Sequence, residues 1–167
     1  MPPVQPGASA QRFARSEKLI TMKVETHVAL RHSLLLVMDA NCKDIPQQFT
    51  QKGLARTDSC IAVGTLAFMD GATFVALTDE SDIAAHDTSL RKIFSGNVKT
   101  PRKVLCVCGT EERLPILEIP VSGAITHVEV WTNHASEPSK VVIVDAGPRT
   151  RADSDPSFSR IRIVPDE

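Results

Sequence analysis

KVLCVCG at 103–109, RLPILEIPV at 113–121, ITHVEVWT at 125–132 and KVVIVDA at 140–146 follow one another with only short polar or Gly/Pro breaks. Each segment is rich in β-branched and aliphatic residues, and the breaks hold residues that turn a chain rather than continue it. Four such segments at close spacing predict an antiparallel sheet system. The third segment says how the sheet is covered. Ile125, His127, Glu129 and Trp131 share one face, and Thr126, Val128, Val130 and Thr132 share the other, because successive strand side chains point to opposite sides. At least one face must be covered by another layer, and a sandwich of two sheets meets that requirement.

Upstream, VETHVALRHSLLLVMD at 24–39 reads as one long strand or a bent pair of strands, ended by the turn-prone Asp39-Ala40-Asn41. Cys60 to Met69 and Ala72 to Thr78 are apolar runs joined by Asp70-Gly71. Asp-Gly between two such runs tolerates the positive φ that a tight β-turn needs, so a hairpin is expected there. IPQQFTQK at 45–52 predicts a short helix entered through Pro46 and stopped at Gly53. DESDIAAH at 79–86 is a polar interruption or a short helical turn, Ser89 to Ser95 has no clean period, and a last strand is expected over Arg160 to Val164. Residues 1–20, with Pro2, Pro3, Pro6 and Gly7, lack the apolar surface that would repay ordering and read as a flexible N-terminal tail. The expected fold is therefore mostly β: an antiparallel β-sandwich with one or two short helical turns, one domain over 22–165 behind that tail.

Bulk properties narrow the function. A chain of 167 residues with 42% hydrophobic and 23% charged residues can bury a core without staples. Its net charge of −1 supplies no field to attract nucleic acid or an anionic membrane. With 4% aromatics, no Tyr and one Trp, it also lacks the stacking platforms of single-strand binders. The longest apolar run, Leu34 to Met38, is far short of the roughly 20 residues that span a bilayer, and the first residues lack the apolar centre of an export signal. A cytoplasmic location without membrane insertion or direct nucleic-acid contact is expected, and with it reduced, buried thiols at Cys42, Cys60, Cys106 and Cys108.

No catalytic constellation can be read along the chain. Cys106-x-Cys108 with His127 or His134 has zinc's preferred ligand types, but structural zinc sites draw paired ligands from turns with two to four residues between them, so no metal and no cofactor are expected. His27, His32, His86, His127 and His134 form no HExxH and no helical His pair. His32 and Ser33 are adjacent on a strand and face opposite sides, so they cannot act as base and nucleophile. G-x-S-x-G, P-loop and G-x-G-x-x-G motifs are absent. The acidic cluster Asp79, Glu80 and Asp82 is either a solvated loop or a surface that meets a basic partner.

Arg31 to Asp39, Phe49 to Asp58 leading into the expected hairpin, Leu114 to Gly123, and Glu129-Val130-Trp131-Thr132 occur in an order that resembles the competence protein J family over roughly residues 25–146. The resemblance implies a small binding protein that inhibits a DNA-degrading nuclease of a competence or immunity system, with a protein partner and no catalysis. It assigns no contact residue; Asp79, Glu80 and Asp82 are the partner-binding candidates because carboxylates can stand where DNA phosphates would lie. The alternatives are a β-sandwich interaction module with no nuclease partner, and a hydrolytic enzyme whose site is assembled only in three dimensions.

Overall fold

The computed structural model describes residues 22–47, 53–83, 86–110 and 115–147. The anticipated N-terminal tail over 1–20, most of the helix expected over 45–52 and the last strand expected at 160–164 lie outside the described residues; Ile45 to Gln47 are not helical. Among the described residues the strands are β1 (Lys23–Val28), β2 (Leu34–Asp39), β3 (Leu54–Arg56), β4 (Cys60–Gly64), β5 (Thr73–Thr78), β6 (Arg91–Lys99), β7 (Val104–Cys108), β8 (Pro115–Pro120), β9 (Ile125–Thr132) and β10 (Lys140–Asp145). Single 3-10 turns at Phe68–Asp70 and Ser81–Ile83 are the helical elements among them.

The strands form two five-stranded sheets, β1-β5-β10-β9-β6 and β3-β4-β2-β7-β8. This is the mostly β sandwich that the sequence predicts. The four segments over 103–146 divide between the layers: β7 pairs with β8 in one sheet, and β9 with β10 in the other. All neighbours run antiparallel except β5 and β10, which are parallel. β10 enters the middle of its sheet between β5 and β9, and its antiparallel pairing with β9 sets its direction against β5.

Period-2 alternation fills the space between the layers. Val75, Leu77, Val128, Val130, Val141 and Ile143 from one sheet meet Leu35, Val37, Ile61, Val63, Leu105 and Val107 from the other in one buried cluster. β9 keeps the alternation expected of it, with Thr126, Val128, Val130 and Thr132 inward and buried. The two runs within 24–39 are a bent pair: the chain turns at Leu30 to Ser33, where the Ser33 amide donates to the Leu30 carbonyl at 3.0 Å, and β1 and β2 enter different sheets.

The hairpin expected at Asp70-Gly71 does not form. β4 pairs with β2 and β3, and β5 with β1 and β10, so residues 65–72 cross from one layer to the other. Asp70 ends the 3-10 turn, and Gly71 has φ 122° and ψ −168°, outside the turn geometry that Asp-Gly favours in a hairpin. The cause is burial on both faces. β4 and β5 are almost wholly buried, so each needs neighbours on both edges and cover above and below, and a local turn preference of about 1 kcal/mol cannot outweigh that.

One side of the sandwich is closed by side chains. Arg56 of β3 donates through Nη2 to the Asn97 carbonyl at 3.2 Å and lies over the Phe94 ring at 5.1 Å. The Lys99 amide donates to the Asp58 carbonyl at 2.9 Å. Edge groups of β6 are thereby bonded across the seam between the sheets rather than left for another strand.

Candidate binding face

The predicted acidic residues gather at one end of the sandwich, just after β5. Asp79 is spent on the fold: its carboxylate accepts the Met22 amide at 2.8 Å and its own amide donates to the Met22 carbonyl at 3.1 Å, which prolongs the β1–β5 ladder. The Glu80 amide donates to Thr78 Oγ1 at 3.0 Å, and Asp82 stands exposed in the following 3-10 turn. Glu80 and Asp82 are thus the members of the cluster best placed to meet a partner.

The two outer faces of the sandwich are unlike one another. Outside β2, β4 and β7, Leu36, Met38, Cys60, Ala62, Cys106 and Cys108 form a second buried apolar cluster, against which Ala40, Cys42 and Ile45 of the segment after β2 are packed. That face is used up by the chain itself. Burial, then the neighbouring Cys42 and Cys108, pushes the Cys60 thiol up to about 12. The hydrogen bond with Cys108, followed by burial and by Glu118, raises Cys106 as well. The expected outcome in the native protein at about pH 8 is iodoacetamide modification of half-buried Cys42 first, with Cys60 and Cys106 reacting only on denaturation. Peptide mapping checks this, and fast native labelling of Cys60 would refute it. His127 projects from the opposite sheet, away from the side of the sandwich that carries Cys106 and Cys108, so His127 does not meet those two thiols.

The other outer face is half-exposed and polar-aromatic over β6 and β9, while over β10 and β5 Ala76, Val142 and Val144 are buried with Leu90 in a third apolar cluster, against which Phe74 and Trp131 pack. On β9, Glu129 Oε2 takes Lys92 Nζ at 3.3 Å and its Oε1 takes Trp131 Nε1 at 3.1 Å, while Lys92 Nζ lies 5.5 Å from the Trp131 ring centre. Beside them Ser95 Oγ is 3.0 Å from His127 Nε2, and His127 Nδ1 is 3.0 Å from Asn97 Oδ1. Toward the middle of the sheet, Lys140 Nζ sits 5.5 Å from the Phe74 ring centre, and His27 meets the same ring edge-on at 5.2 Å. These side chains hold one another, so a partner would not have to order them, a cost of about 0.5–1.5 kcal/mol for each free side chain. Trp131 is of the residue type that most often anchors an interface.

Lys140 is also bound by Asp87, whose carboxylate accepts its ammonium at 2.5 Å and the Ser89 hydroxyl at 2.6 Å. The Lys140 hydrogen bond first, and those from Ser89 next, hold the Asp87 carboxyl down to about 2, below its ordinary 3.8. A depressed carboxyl stabilises the fold above its unfolded pKa and loses that contribution as pH falls through its folded one. Asp87→Asn is therefore expected to lower Tm relative to the wild type near neutrality, the gap closing between about pH 4 and about pH 2. Parallel melts by circular dichroism read it; a gap independent of pH would mean that Asp87 acts otherwise.

The sequence reading did not find this face. Its histidines were judged by spacing along the chain, whereas the β6–β9 register sets Asn97 directly opposite His127 and Ser95 opposite Glu129. The one legible signal was the polar alternation of β9, His127-x-Glu129-x-Trp131, on the side away from the core.

No protein-family profile matches the chain, and no curated protein matches it. Among solved structures, the crystal structure of ComJ, inhibitor of the DNA degrading activity of NucA, from Bacillus subtilis, has the same fold. It aligns with a TM-score of 0.56 over 75% of this chain and 96% of that chain, at 12% identity. At that identity the likeness is one of fold, and it is the fold that the resemblance in the sequence implied.

Proposed function

We propose that this chain is a binding protein that inhibits a DNA-degrading nuclease by occupying it. The observation that carries the reading is the fold shared with ComJ over 96% of that inhibitor's length. Two features support it. The polar-aromatic outer face is ordered before any partner arrives, and the net charge of −1 leaves no reason for the chain to hold DNA itself. A nuclease partner would bury on the order of 800 Å² of this surface. No helix among the described residues is long and apolar enough to cross a membrane, and the cytoplasm is the proposed place of action.

The test is capture of proteins on the tagged chain from its native extract, followed by a DNA-degradation assay on what is retained. Recovery of a nuclease that excess chain silences supports the reading. Recovery of a protein without DNA-degrading activity, or of a nuclease indifferent to the chain, favours the interaction module without a nuclease partner. The acidic cluster is the proposed contact: Glu80→Ala/Asp82→Ala is expected to raise the Kd for the captured nuclease by about tenfold or more at low salt, since each charge-assisted contact contributes about 1.5–3 kcal/mol. Asp79→Ala added to the pair would also loosen the β1–β5 ladder, so binding titrations use the double variant and the triple variant is compared only after its Tm is known. An unchanged Kd in the double variant removes these carboxylates from the interface.

A further inference from the structure

Asp70-Gly71 is the one Asp-Gly pair in the chain. The fold does not use it as a hairpin turn; it leaves the pair exposed where the 3-10 turn ends, in the crossing from β4 to β5. In any aspartyl peptide the side-chain carbonyl carbon is one bond short of a five-membered ring with the next residue's amide nitrogen. Access decides whether that ring closes. A Cβ on the following residue crowds the nitrogen, and a hydrogen bond from the amide holds it away.

Neither obstacle is present at Gly71. It has no Cβ, and the place a Cβ would take has nothing within 4 Å. Among the described residues, the Gly71 amide has no acceptor and the Asp70 carboxylate has no donor or cation. Gly71 holds φ 122° and ψ −168°, a backbone that other residues rarely adopt, so the path of the crossing itself calls for glycine after Asp70. The bonds that anchor the crossing do not involve the reacting atoms. The Thr65 amide donates to the Ser33 carbonyl at 2.9 Å, the Leu66 amide to Thr73 Oγ1 at 3.2 Å, and the Asp70 amide to the Ala67 carbonyl at 2.8 Å. Ring closure takes the nitrogen of Gly71 and leaves all three in place. Gly71 and Ala72 are exposed, so a lengthened backbone has room.

We infer that Asp70-Gly71 is a modification site of the folded protein, closing to a succinimide and reopening in part as isoaspartate, the substrate of an S-adenosylmethionine-dependent isoaspartyl methyltransferase. In the step, the Gly71 nitrogen attacks Cγ of the Asp70 carboxyl in its acid form. A carbon–nitrogen bond forms, and one carboxyl oxygen leaves as water with the carboxyl proton and the amide proton. Water then adds to either ring carbonyl. Breaking the bond from the Gly71 nitrogen to Cγ returns aspartate. Breaking its bond to the backbone carbonyl carbon routes the chain through Cγ, adds a methylene to it and leaves a free α-carboxylate. This chemistry is independent of nuclease binding.

The test keeps the full chain folded for days near neutral pH, below its Tm, in heavy-oxygen water and maps the peptides by mass spectrometry. Heavy oxygen is expected at residue 70 about tenfold faster than at Asp58 and Asp82, which are also exposed but precede Ser59 and Ile83. The peptide that gains it should also accept a labelled methyl group from S-adenosylmethionine when an isoaspartyl methyltransferase is added. Asp70→Asn should convert faster still, with loss of ammonia. Asp70→Glu, whose ring needs a further carbon, should take up neither label. Labelling at residue 70 no faster than at Asp58 and Asp82 overturns the proposal, as does methyl acceptance by that peptide that survives Asp70→Glu. The comparison within the wild-type molecule decides even where a variant fails to fold.

Discussion

Ile143→Ala is expected to destabilise the protein by about 2–5 kcal/mol. Ile143 is fully buried on β10, paired in register with Leu77 on one side and Val130 on the other, and it belongs to the cluster between the sheets. Its neighbours come from two layers whose separation is set by many other side chains, so they cannot close on the space that truncation leaves, and the cavity adds to the lost transfer free energy. Against a total of about 5–15 kcal/mol for a domain, that loss should lower Tm by about 10 °C or more. Urea unfolding should show the midpoint shift at unchanged slope. Met69→Ala serves as the control: it removes a side chain that is 87% exposed in the crossing between β4 and β5, and it should leave the midpoint where it was. Equal midpoints for Ile143→Ala and the wild type would mean that β10 does not run through the centre of the core.

The difference between those two residues could be seen in the sequence only in part. Ile143 sits in KVVIVDA, where an apolar run set off by short breaks reads as a strand, and the structure adds that it is buried on both faces. The alternation of ITHVEVWT likewise divided β9 into two faces of four side chains, and the structure shows which of them turns inward. Such patterns are legible because burial acts on each side chain separately and leaves a mark every second residue. Partner choice leaves no comparable mark. Asp70-Gly71 carried a local turn signal, yet the strands on either side of it entered different sheets, because each had buried edges that only distant strands could satisfy. The Ser95–His127–Asn97 line was illegible for the same reason: it exists only in the register of β6 on β9, between residues separated by about thirty positions. Asp79, Glu80 and Asp82 were visible as a cluster, but the bond from the Met22 amide to Asp79 was not, since it depends on where β1 begins beside β5.

Thr100→Val is expected to cost about 1–3 kcal/mol although it changes the shape of the side chain very little. Thr100 and Thr126 are both buried, and their hydroxyl oxygens lie 2.8 Å apart. Thr100 Oγ1 also donates to the Gly123 carbonyl at 2.8 Å, which commits its single proton. The proton between the two hydroxyls therefore belongs to Thr126, and Thr100 accepts it. Valine at 100 strands that buried donor, while the Gly123 carbonyl lies where the residue is only half-buried and water can take it over. Thr126→Val should cost less, because Thr100 keeps its bond to Gly123 and loses only a bond it accepted. With both replaced, no hydroxyl is left stranded, so the double variant should be less destabilised than the sum of the singles by about 1 kcal/mol or more. Chemical denaturation of the four proteins measures that coupling. Strict additivity would show that the two hydroxyls do not share a proton, and that the junction between β6 and β9 is held by its backbone ladder alone.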